Sequence, residues 1–164
     1  MSMKLIVIAA AALATFSVGV YAAEVDGVLA EKIDKFTPTD VSITPPSADV
    51  PKGCAAFSGQ WGPGLLPYVG AAVKIVFESI AADCSAVVLV VAAERKSYGN
   101  HPGARAGRHT VQIVGNSVEL KDVTPGSVWT LTLVAPGQRL DVQASNTSTW
   151  RSLFFALASA PMTR

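Results

Sequence analysis

Ser127-Val128-Trp129-Thr130-Leu131-Thr132-Leu133-Val134-Ala135-Pro136-Gly137-Gln138-Arg139-Leu140-Asp141-Val142-Gln143-Ala144 is the stretch that decides the fold. Trp129, Leu131 and Leu133 alternate with Thr130 and Thr132; after Pro136-Gly137, Leu140, Val142 and Ala144 alternate with Asp141 and Gln143. A period of two puts one residue set on each face of an extended strand, and a Pro-Gly pair between two such runs marks a turn. The stretch reads as a β-hairpin with one apolar and one polar face.

The same pattern extends in both directions. Eight runs are separated by turn residues: Phe57–Trp61, Ala71–Ile80, Ser85–Glu94, Gly107–Val114, Ser117–Asp122, Ser127–Val134, Arg139–Ala144 and Trp150–Ala158. Gly115-Asn116, Pro125-Gly126, Pro136-Gly137 and Asn146-Thr147 supply short hairpin connections. The inward set is Val73, Ile75, Phe77, Val111, Ile113, Val118, Leu120 and the hairpin residues above, with polar neighbours such as Lys74, Glu78, Gln112 and Glu119. No helix long enough for a βαβ crossover intervenes, so the expectation is all-β: strands joined in sequence, either an up-and-down barrel or a sandwich. Ser85–Glu94 and Leu153–Leu157 are apolar on both faces, which predicts an outer cover, from the preceding segment or from a second subunit.

Upstream of the strands the chain changes character. Residues 1–22 carry one lysine, then an uncharged Leu5–Val20 run ending in Val20-Tyr21-Ala22. That run is short for a membrane span and ends in small residues suited to cleavage, so it reads as a signal peptide. No cysteine offers a lipid attachment point, so no stable membrane anchor is expected after cleavage. Residues 23–53 read as a flexible, acidic, Pro-rich arm, in which Val28, Leu29, Ile33 and Phe36 fall near helical spacing and predict a short helix over Gly27–Phe36. Pro38, Pro45, Pro46 and Pro51 exclude a helix beyond it. Residues 54–164 form the strand domain.

The 164 residues are 50% apolar and 15% charged, which excludes a disordered chain, and the length excludes a large multidomain enzyme. A formal charge of +1 is too balanced for a nucleic-acid-binding surface. The charges are sorted, however. Glu24–Gly53 holds six acids and three lysines, whereas Cys54 to Arg164 holds six acids and nine Lys/Arg. Cys54 and Cys84 are the two cysteines, and in an exported chain a disulfide between them is the default. With His101 and His109 alone to complement them, they lack the paired close spacings of a zinc site, and no metal or other cofactor is expected.

Phe57-Ser58-Gly59-Gln60-Trp61 resembles the Gly-x-Trp of the first strand of lipocalins and other calycins. That resemblance implies a calycin-like, eight-stranded antiparallel up-and-down barrel over Cys54–Arg164, with Trp61 as the plug of its closed end and Arg151, or Arg139, packed across it. Similar small exported lipocalin-like domains occur in bacteria. A weaker similarity, through Ser58-Gly59-Gln60-Trp61, is to bacterial metalloprotease inhibitors, in which an N-terminal segment enters the protease cleft.

The catalytic inventory is thin. No Gly-x-Ser-x-Gly elbow occurs, Gly62-Pro63-Gly64 lacks the lysine and helix of a phosphate loop, and Asp83, Glu94, Asp122 and Asp141 are scattered near strand ends. The most informative stretch is Arg95–His109, read as a loop carrying Arg95, Lys96, Tyr98, His101, Arg105, Arg108 and His109 with no acid. At a barrel mouth, Arg105 and Arg108 would hold an anionic group with Tyr98 stacked beside it. The plainer reading is a solvated loop, or one resting on the acidic arm. These features point to an exported, non-enzymatic binding module for a small lipophilic or anionic ligand or an exported protein. Protease inhibition through the arm is the first alternative, and a hydrolase the second.

Overall fold

A computed structural model describes residues 25, 27–66, 70–94, 103–136, 138–146 and 151–158; the expected signal peptide lies outside them. In chain order the elements are α1 (Gly27–Phe36), α2 (Lys52–Ala55), β1 (Gly59–Leu66), β2 (Ala71–Ile80), β3 (Ser85–Glu94), β4 (Ala104–Val114), β5 (Ser117–Lys121), β6 (Ser127–Ala135), β7 (Arg139–Asn146) and β8 (Arg151–Ala158). The fold is mostly antiparallel β. Seven ladders join the strands in chain order from β1 to β8. β1 also lies against β8, but among the described residues no ladder joins them. The expectation of a closed eight-stranded barrel is therefore corrected to a nearly closed one, because full closure of such a circuit needs one ladder more.

Alternation builds the interior as the hairpin pattern predicts. Val73, Ile75 and Phe77 of β2, Val88 and Val90 of β3, Leu120, Leu131, Leu140 and Leu157 share one buried cluster with Trp61. Phe57 and Phe77 meet with ring centroids 5.3 Å apart, and Trp61 Nε1 donates to the Phe57 carbonyl at 2.8 Å. The Val50–Phe57 segment covers the end of the barrel at the β2–β3 turn, where Cys54 is disulfide-bonded to Cys84. That turn is set by Asp83, whose Oδ1 accepts from the Ser85 amide and hydroxyl, and by Cys84 at φ 65°.

β1 runs past the expected Trp61 end through Gly62-Pro63-Gly64, which forms a bulge in its register with β2. Gly62 has φ +87°, and a Cβ there would stand 2.8 Å from the Val73 carbonyl oxygen, so only glycine lets β1 approach β2 this closely.

The expected arm is corrected in position. Residues 27–50 are folded onto the barrel wall. α1 forms where the helical spacing predicts and fully buries Leu29 and Ile33 against Ala72, Val76, Leu89, Val91 and Ala93. Each such burial stabilises by about 1.5–3 kcal/mol. Thr37 ends the helix: its amide and Oγ1 both donate to the Ile33 carbonyl, and Pro38 follows. The doubly apolar β3 has the outer cover its sequence demands, supplied by the chain itself.

Candidate functional site

Strand β4 begins earlier than its sequence suggests, at Ala104 instead of Gly107, so Arg105 joins Arg108 and His109 on the strand. Its register with β3 pairs Val88 with His109, Val90 with Gly107 and Ala92 with Arg105. Residues directly opposite share a face of the sheet. Arg105, Gly107 and His109 therefore lie on the inner face of the barrel wall, and Arg108 on the outer. The expected pairing of Arg105 with Arg108 on one anion would need two side chains that alternation sets on opposite faces.

Arg108 is committed elsewhere. Its Nε donates to Glu78 Oε2 at 2.8 Å, and its terminal nitrogen donates to Glu78 Oε1 at 3.1 Å and to Asp40 Oδ1 at 2.9 Å. Glu78 is nearly buried on the outer face of β2, and Asp40 belongs to the segment after α1. The Arg108 hydrogen bond holds the Asp40 carboxyl below the usual carboxylate range, and the two carboxylates push the guanidinium above its ordinary value. Lys74 stands 3.9 Å from Asp34 on the same face, and Lys32 Nζ donates to the Glu94 carbonyl at 2.8 Å. Part of the plainer reading thus holds for Arg108, which rests on the acidic segment.

Arg105 differs. Among the described residues it forms no ion pair and it is exposed, although it sits on the inner face. The reason is a split in the wall. β4 pairs with β3 over nine positions but with β5 only through Ile113–Val118 and Val114–Ser117. β5 ends at Lys121, and the chain turns away at Asp122, with φ 55° and its Oδ1 accepting from the Gly126 amide at 3.0 Å. The split forms a cleft of ≈ 140 Å³. Val90 and Ala92 make its floor, β4 from Arg105 to His109, Arg108 included, one wall, and Asp122 and Val123 the other. His109 and Asp122 both line this cleft, with no hydrogen bond between them among the described residues.

Arg95, Tyr98 and His101 lie outside the described residues. Trp61 is buried in the core beside the covered end of the barrel, and nothing is described of the Arg151 side chain, so the plug contact stays an expectation. Arg139, the other expected partner, donates to Asp141 through Nε at 2.6 Å and through a terminal nitrogen at 2.9 Å. Val90, Ala92, Asp122 and Val123 are site residues that sequence reasoning missed. The one signal for them was the run Arg105–Gln112, where neither alternate set is consistently apolar.

Among the described residues no cluster of His, Cys, Asp and Glu could hold a metal ion, and no helix is long and apolar enough to cross a membrane. No family model, no curated protein and no solved structure matches this chain.

Proposed function

We propose that this protein is an exported binding module of an oxidising compartment and that it takes an anionic group in the cleft between β4 and β5. One observation carries the reading: Arg105 is an exposed guanidinium on an inner face, without a carboxylate partner among the described residues, above an apolar floor of Val90 and Ala92. A cation beside a small apolar surface favours a ligand with an acidic group and a compact apolar part. The Cys54–Cys84 disulfide supports the oxidising compartment. A lipophilic ligand inside the barrel has less support, since large side chains such as Trp61, Phe77, Leu120 and Leu131 fill the interior. Inhibition through the N-terminal segment has less support too, because residues 27–50 are spent on packing against the wall.

The test is a titration of the disulfide-bonded protein with benzoate and with inorganic phosphate, followed by amide chemical shifts. Arg105→Ala should abolish the response at β4, and added salt should weaken it. Gly107→Val, at a position of ordinary backbone conformation, should block it by filling the cleft. Arg108→Ala, on the other face, should leave it in place. An Arg105→Ala protein that binds as well as the parent overturns the reading.

A further inference from the structure

The split in the wall also leaves main-chain groups exposed. The Ile113 amide donates to the Cys84 carbonyl at 3.0 Å, and the Gly103 carbonyl accepts from the Glu94 amide, so odd-numbered positions of this stretch turn their main-chain groups toward β3. Alternation then turns the N–H and C=O of Ala106, Arg108, Thr110 and Gln112 toward the place where β5 would pair. β5 does not reach the first three, because its ladder stops after two pairs. Among the described residues no ladder pairs Ala106, Arg108 or Thr110 on that side, and all three are exposed. Protein sheets ordinarily cover, shorten or pair such an edge.

We infer that the open edge of β4 receives an extended acidic segment of a partner protein, which adds as a strand in the gap between β4 and β5. The inference rests on the binding-module reading and names its partner class. Strand addition satisfies the main-chain groups by the ordinary ladder, and alternate side chains of the guest fall on the inner face, over Val90 and Ala92. Small apolar side chains fit there. Arg105, on the same face, selects a carboxylate beside them. A second copy of β4 fits worse, because self-pairing brings like-charged Arg105 and Arg108 of two chains together.

The experiment uses a capped hexapeptide of alternating threonine and valine with one glutamate, added to the disulfide-bonded protein while amide hydrogen exchange is followed by NMR. In the free protein the amides of Ala106, Arg108 and Thr110 should exchange fast and those of Gly107, His109 and Val111 slowly. Saturating peptide should slow the first set by about tenfold or more. A peptide methylated on its β4-facing amide nitrogens should lose binding, and the glutamine analogue should bind more weakly. Thr110→Pro, which removes one outward donor and spares the β3 ladder, gives a second route. Peptide binding that leaves the Ala106, Arg108 and Thr110 amides unprotected overturns strand addition and leaves the anion site standing. Benzoate binding with no peptide binding up to about 1 mM does the same. If neither binds, both readings fall.

Discussion

Strands β3 and β4 are hydrogen-bonded to each other over nine positions, yet their surroundings are opposite. β3 is buried at seven of its ten residues, on both faces: Val88 and Val90 look into the barrel, Leu89 and Val91 lie under α1. In β4, only Ala104 and Ile113 are buried, one near each end of the strand. A ladder satisfies backbone groups along one side of a strand and buries nothing by itself. Burial needs a second neighbour and a cover, and among the described residues β4 has no second strand beside it from Arg105 to Thr110, where its residues are exposed or half-buried. That open stretch is where binding is affordable, since the fold has invested little packing there.

The comparison can be broken or sharpened by substitution. The largest effect is expected from Cys54→Ser with Cys84→Ser: opening a link across 30 residues should cost about 3–4 kcal/mol in denaturant unfolding, since the bond holds the end cover on the β2–β3 turn. Leu89→Ala, beneath α1, should cost about 2–4 kcal/mol. Thr110→Ala, on the same face one strand away, should stay within about 0.5 kcal/mol. Equal losses at these two positions in thermal or denaturant melts would show that β4 is as deeply packed as β3 and would sink the comparison.

The smallest effect is a pH dependence of the contact between the segment after α1 and the barrel. The Asp40 carboxyl is depressed by its hydrogen bond from Arg108. A depressed carboxyl contributes stability that is present above its unfolded value of about 4 and is lost as pH falls through the folded value. The melting temperature should therefore be flat near neutrality and fall below about pH 4, with a shallower fall in Asp40→Asn. Asp83, depressed by Ser85, adds to the slope in both proteins, so the difference between the two curves isolates Asp40. Identical curves would show that Asp40 does nothing to hold the segment.

Much of the fold was legible because it depends on local pattern. β2 and β3 have the ends their alternation and flanking turns predict, and α1 spans the ten residues of its helical spacing. β4 was misread at its start, because Ala104-Arg105-Ala106 combines small and charged residues just before Gly107, a composition that signals a loop. Its pairing with β3 overrides that composition, since Val90, Val91 and Ala92 need a neighbour for their backbones whatever its side chains are. The site was legible only as a list of residue types. That Arg105 and Arg108 face opposite ways follows from their separation of three in a strand, but only once they are known to be in one.

The amino-acid sequence by itself determined the all-β class, the inner faces of most strands, the helix at Gly27–Phe36 and the separation of an acidic segment from a basic domain. Period, turn chemistry and charge count are local quantities, readable without knowing what touches what. Tertiary structure alone decided the rest. It set Asp34 near Lys74 and Asp40 on Arg108, so that the acidic segment meets the basic domain of its own chain. It also ended the β4–β5 ladder after two pairs, leaving an inner-face arginine and an open strand edge together. Partners and gaps are properties of distance in space, and residues far apart in sequence acquire them only when the wall curves round to bring them together.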